Sequence, residues 1–229
     1  MSSLIRIPRA ALLEDLRRSP RQALDDSVQA TLRHLQHSAR GGRGLLADVL
    51  GRQTAFSEWE HYPHGDARDG RSGYRFYYHA HAASQRAAGE HGHFHVFAPR
   101  PRAAAGEAGH AHLFALSVDD RGWPMRVFTT NRWVTAEHWE NARWILQALR
   151  RLDLAQARPR RVADWLQHMA CLFAPQIREV VRQRDRRIDQ RLLRQPASRV
   201  LEDRRTHIVS QCRVDLGWQF RLLQDAGVA

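Results

Sequence analysis

The stretch from Ser72 to Ala98 limits the fold more than any other part of the chain. It reads SGYRFYYHAHAASQRAAGEHGHFHVFA. Side chains alternate between the two faces of a strand, so His79 and His81 share a face with Arg75 and Tyr77, while Tyr74, Phe76 and Tyr78 take the other. In the second half His91, His93 and His95 share one face, and Phe94 and Val96 the other. Each segment therefore reads as a strand with an apolar side for packing on helices and an imidazole side. If residues 82 to 90 close the two into a hairpin, the simplest symmetric register pairs His81 with His91, His79 with His93 and Tyr77 with His95.

Opposed side chains in such a ladder have Cβ atoms roughly 4.5 to 5.5 Å apart. Imidazoles from both strands can then converge on one ion at the usual metal–nitrogen distance of about 2.0 to 2.1 Å. The expected ligands are His79, His81, His91, His93 and His95. Nine of the fourteen histidines fall between His61 and His112. Such a patch of imidazoles repels itself once protonated below about pH 6.5, and an ion or anionic ligand relieves the repulsion. A divalent transition metal is the expected cofactor, zinc or iron first, with copper and nickel also compatible with nitrogen donors. Glu90, at the loop exit, is the expected acid/base or the acceptor that orients an imidazole. His95 is a second candidate for a catalytic role, and His110 and His112 enter the following strand as further candidate ligands.

Composition excludes several chemistries. All 36 basic residues are arginine, and a chain without lysine has no Schiff base to a pyridoxal cofactor and no lysine-bearing phosphate loop. The net charge of +12 would ordinarily point to nucleic acid. Here the arginines are spread through every segment and interleaved with acids, as in RQRDRRIDQR at 182 to 191, so a solvated surface is expected instead and nucleic acid is not an expected partner. Cys171 and Cys212 form no CxxC pair, which argues against a cysteine zinc site. No run of 18 apolar residues occurs and the N-terminus lacks a signal-peptide pattern, so a cytoplasmic protein without a membrane partner is expected. The expected partners are a metal ion and a small-molecule substrate. Oligomeric state leaves no mark in the sequence.

With 229 residues and 43% hydrophobic content the chain reads as a single domain, 1 to 229. Residues 1 to 55 are expected to be helical. Pro8 opens a helix through about Arg17, and Leu24, Val28, Leu32 and Leu35 form the stripe of a second that Gly41 and Gly42 end. Residues 56 to 131 carry a histidine-rich antiparallel sheet of about four strands within 72 to 130, at 72 to 82, 91 to 98, 111 to 119 and 124 to 130. Residues 132 to 229 return to helical spacing, with Thr135 as an N-cap, Trp139, Ile145 and Leu149 on one stripe, and a last stripe of Val200, Leu201 and Ile208. The class is α+β, the sheet flanked by the N-terminal helical segment and packed by the C-terminal helices.

Several weaker features complete the reading. WEHYPHGD, with Glu60, His61, His64 and Asp66, lies just before the hairpin and could fold beside it, although its Pro and Gly content more commonly makes a polar turn. Asp164 with His168, Asp203 with His207, and Asp185 with Asp189 are spaced for one helix face, where surface ion pairing is the commoner cause. In the aromatic and basic stretch from Trp123 to Trp139, Arg126, Asn131 and Arg132 are candidate polar contacts to a ligand, and Trp133 and Trp139 read as core anchors.

Two resemblances add to this. HGHFHVFAPR resembles the signature of the histidine triad nucleotide hydrolases and transferases, with Gly92 where that signature has an apolar residue. The resemblance implies His93 as a nucleophile toward an α-phosphate, with His91 and His95 positioning it. More broadly, YYHAH, EHGHFHVF, GWPMRVFTTNRWVTAEHW and the helical tail look like a bacterial conserved-domain family of unknown function, over most of residues 55 to 220. That resemblance implies a common fold.

Overall fold

The computed structural model describes residues 4–51, 57–100 and 109–228. Three helices come first: α1 (Arg9–Arg17), α2 (Arg21–Ala39) and α3 (Leu45–Leu50). Pro8 and Pro20 precede the first two, where their fixed φ suits a helix start. Leu24 and Val28 of α2 are buried, whereas Leu32 of the expected stripe is exposed.

Alternation then takes over in β1 (Tyr62–Arg68), β2 (Arg75–His79), β3 (Gly92–Pro99), β4 (His110–Val118) and β5 (Pro124–Thr130). After α4 (Arg132–Thr135), α5 (Ala142–Leu149), α6 (Arg160–Leu172), α7 (Ala174–Leu192) and α8 (Ala197–Leu201), the chain returns as β6 (Ile208–Arg213) and ends on α9 (Leu216–Asp225). All neighbouring strands pair antiparallel in the order β1-β2-β3-β4-β5-β6. The protein is thus α+β, with a six-stranded sheet where about four strands were expected.

One face of this sheet is the core. Phe76, Tyr78, Phe94, Val96, Phe114, Leu116 and Val127 are fully buried in one cluster with Leu166, Met169, Ile177, Val180 and Val181 of α6 and α7 and with Phe173 between those helices. The rings of Phe94 and Trp165 lie 5.6 Å apart. Each large apolar side chain withdrawn from water in this way contributes about 1.5–3 kcal/mol. The opposite face carries Tyr77, His79, His93, His95, Ser117, Arg126, Phe128 and Gln211, in register across β2 to β6. A bulge sharpens this division. Val96 pairs with Phe114 but Phe97 pairs with His112, so Leu113 is the extra residue on β4. The bulge brings His112 onto the imidazole face, the usual effect of one inserted residue on the side chains beyond it.

Several expectations are corrected. β1 occupies the segment read as a polar turn, and a bulge between Tyr62 and Ala67 accommodates its Pro63 and Gly65. β6 begins at Ile208, which had been placed on a helical stripe. The first expected strand is shorter than 72 to 82: β2 stops at His79 and a single 3-10 turn, Ala83–Gln85, follows. Tyr77 pairs with His95 and His79 with His93 as expected, but the ladder ends there and leaves out His81 with His91. Thr135 ends α4 instead of capping the next helix, because Asn131 and Asn141 accept the first helical N–H groups of α4 and α5 with their side chains. Trp139 precedes α5 and packs with Ile188, Val200 and Val209, off the stripe assigned to it. Most of the segment that joins β3 to β4 lies outside the described residues.

Candidate metal centre

His79 is the last residue of β2 and directly opposes His93 on β3. Their Nε2 atoms are 2.7 Å apart, with the rings nearly perpendicular at 89°. His95, two residues along β3 and so on the same face, has its ring centroid 5.1 Å from that of His79 and 5.0 Å from that of His93. One nitrogen from each of the three lies within 4.8 Å of the other two. The side chains are almost sealed from water, at 8% exposure for His79, 5% for His93 and 1% for His95.

Hydrogen bonds set the chemistry of these rings. Nδ1 of His93 donates to Glu90 Oε1 at 2.7 Å, which leaves Nε2 as the lone-pair nitrogen facing His79. Glu90 Oε2 in turn accepts from Nη2 of Arg126 at 2.7 Å. Burial alone would raise the Glu90 carboxyl, but the hydrogen bond and charge of His93 and the Arg126 guanidinium outweigh it and hold the group below the ordinary carboxylate value. Nδ1 of His95 lies 3.0 Å from Nε2 of His112, which is itself 3.4 Å from Thr130 Oγ1 through its other nitrogen. Burial, then the neighbouring imidazoles, lowers His79 and His95 far below 6.5. For His81 burial followed by His93 lowers it to about 4, and burial followed by Arg184 lowers His112 to about 3. His79, His81, His95 and His112 are therefore neutral at ordinary pH, the form in which imidazole ligates a metal.

The expected ligands are distributed unequally. His79, His93 and His95 come together. His81 lies past the end of β2, half-buried, its ring stacked on His93 at 5.1 Å and edge-on to Trp59 at 4.3 Å. His91 leaves the cluster, because its Nδ1 is hydrogen-bonded to the hydroxyl of Tyr78, a residue of the core face. That placement also removes the third imidazole from the arrangement implied by HGHFHVFAPR. His112 joins through His95, whereas His110 sits at the far end of β4, opposite Pro99. Among the weaker pairs, Asp164 binds Arg160, Asp203 binds Arg191 and Arg205, and Asp185 binds Arg184.

Two participants fell outside the expected ligand group. His61 stacks on Tyr77 at 3.7 Å and lies edge-on to His79 at 5.6 Å. Its segment gave no strand signal, since Pro63 and Gly65 break the alternation. Arg126 had been singled out as a polar contact within an aromatic stretch. Its position on β5 opposite Ser117 puts it on the imidazole face.

The donor set fits a metal ion. Two imidazole Nε2 atoms face one another in a buried setting, a third ring stands beside them, and a carboxylate takes the outer N–H of one ligand. A carboxylate in that position fixes the tautomer and raises the basicity of the ligating nitrogen. No curated protein and no solved structure matches the chain. A family model described as a domain of unknown function, DUF6969, matches residues 25–214, a span that includes the three histidines, Glu90, Arg126 and all six strands. The chain belongs to the DUF6969 family.

Proposed function

We propose that the imidazole face holds a transition metal ion on His79, His93 and His95, and that the protein is a metal-dependent enzyme acting on a small molecule. The observation that carries this is the convergence of three ring nitrogens within 4.8 Å, one of them backed by Glu90. Three protein ligands leave one position of a tetrahedral ion for water or substrate, as in catalytic rather than closed structural sites. Nitrogen donors with the carboxylate one step removed favour zinc, whereas two histidines and a carboxylate would suit iron better. Bound there, zinc would supply Lewis-acid polarisation of a substrate oxygen. Glu90 holds the His93 ring in its ligating tautomer, and Arg126 keeps Glu90 ionised. His95, buried and tied to His112, serves as a ligand and has no access to substrate.

Elemental analysis of the purified protein tests the proposal. Stoichiometric metal is expected in the parent, and its loss in His79→Ala and His93→Ala. A parent that stays empty after reconstitution with zinc and iron(II) sinks the idea. Burial of all three ligands also suits a second reading, in which the site stores, senses or delivers metal without turnover. Exchange with labelled zinc separates the two: a catalytic centre releases its ion slowly, while a handling site exchanges readily.

A further inference from the structure

Beside the centre lies a cleft of about 640 Å³, within the size range of small-molecule sites. Five guanidinium groups line it: Arg86 from the segment after β2, Arg126 from β5, Arg187 and Arg191 from α7, and Arg205 ahead of β6. Among the described residues no carboxylate lines it. Arg86 pairs with Glu58 at 2.6 Å, and two further acids are each shared. Asp203 serves both Arg191, at 2.6 Å, and Arg205, at 3.1 Å, and Glu90 serves both Arg126 and His93. The guanidiniums are also held in place: Arg187 Nη1 donates to the Val209 carbonyl at 2.6 Å, and Arg191 Nη1 to Thr206 Oγ1 at 3.2 Å. Fixed, planar donors of this kind match carboxylate and phosphate oxygens. Ile188, Ile208 and Val209 add an apolar strip to a lining that also holds Gln85, Thr206, His207 and Gln211.

Arg126 connects this cleft to the metal centre. Its guanidinium lines the cleft and donates to Glu90 Oε2, while Glu90 Oε1 accepts from His93. Building on the metal-centre reading, we propose that the cleft is the substrate site and that the substrate is a small oxyanion, a carboxylate or phosphate monoester carrying an apolar body. The oxyanion sits among the arginines, and the apolar body lies on Ile188, Ile208 and Val209. Bound this way, the ligand reaches toward the centre along Arg126.

Calorimetric titration with hexyl phosphate and with hexanoate tests the assignment on the full chain, and the tighter of the two tells phosphate from carboxylate. Saturable binding is expected that weakens with added salt. Arg205→Gln, at an exposed position, and Arg187→Gln are each expected to weaken the better probe by about tenfold, with metal content by elemental analysis unchanged. Cobalt(II) in place of the resident metal is expected to shorten the phosphorus relaxation time of bound hexyl phosphate. Absence of saturable binding to a metal-loaded protein, or affinity that neither substitution alters, overturns the cleft assignment and leaves the metal reading intact. Arginine-dependent binding to a chain that takes up no metal overturns the metal reading, and with it the role of the ligand as substrate.

Discussion

Glu90 is the residue on which the proposed centre turns, because it joins the His93 imidazole on one oxygen to the Arg126 guanidinium on the other. Replacing it with Gln keeps the shape, removes the charge and weakens the hold on the His93 tautomer. Loss of such an outer partner typically lowers metal affinity by about 10–100-fold. Competition against a zinc chelator should show that drop in Glu90→Gln, and an unchanged affinity would remove Glu90 from the centre. A second carboxylate behaves in the opposite way. Glu137 is buried and accepts the backbone N–H of His112, and burial pushes its carboxyl up to about 8. Between the ordinary value of 4.5 and about 8 the folded chain keeps a proton that the unfolded chain gives up. Stability from this group is therefore complete below the lower value and is lost as pH rises to the upper one. Thermal unfolding should show Glu137→Gln gaining on the parent across that window. Equal curves at both ends would mean that Glu137 is ionised in the fold.

At the scale of elements, β2 and β3 were legible because two different kinds of side chain alternate in each, aromatic or aliphatic on one parity and imidazole on the other. That pattern also implied the register from Tyr77–His95 to His79–His93. It could not imply where the ladder stops. β2 ends at His79, so His91 is free to turn to the hydroxyl of Tyr78, and the sequence carries no mark of that turn. β1 and β6 were illegible for local reasons: YPHGDAR contains Pro and Gly, and IVSQCR follows apolar residues that continue a helical spacing. Gly92 shows how closely β2 and β3 approach. A Cβ there would lie 2.4 Å from the Tyr78 hydroxyl and 2.6 Å from the backbone oxygen of His79. The carbonyl cannot swing aside as a side chain can, so Gly92→Ala has to part the two strands. Overpacking of this kind costs about 1–3 kcal/mol, to be read from the urea midpoint, and metal affinity should fall with it because His79 and His93 separate. A midpoint equal to the parent's would show that the strands have room.

For the whole molecule, the arginine excess reads differently in three dimensions. Along the chain the cations and acids are interleaved, and many do form surface pairs such as Arg160 with Asp164 and Arg186 with Glu179. The grouping of five arginines around one cleft is invisible in sequence, since Arg86 and Arg205 come from opposite sides of a long helical excursion. The membrane expectation has a partial counterpart: among the described residues no helix is long and apolar enough to cross a bilayer. The bulge at Leu113 likewise escapes sequence reasoning, yet it decides that His112 rather than Leu113 stands behind His95.

The late return of β6 means that the two halves of the site are closed by segments of very different length. His79 and His93 are 14 positions apart, while Arg126 and Gln211, bonded across β5 and β6 at the cleft, are 85 apart. Closing the longer segment costs about 1.6 kcal/mol more in chain entropy by the logarithmic rule, a small penalty for leaving a long stretch open to variation. Insertions or replacements between α4 and β6 can redraw the arginine wall while the imidazoles on β2 and β3 keep their spacing. Under the proposed reading, one metal centre could in this way be fitted to different anions by changing a part of the chain that lies apart from His79, His93 and His95.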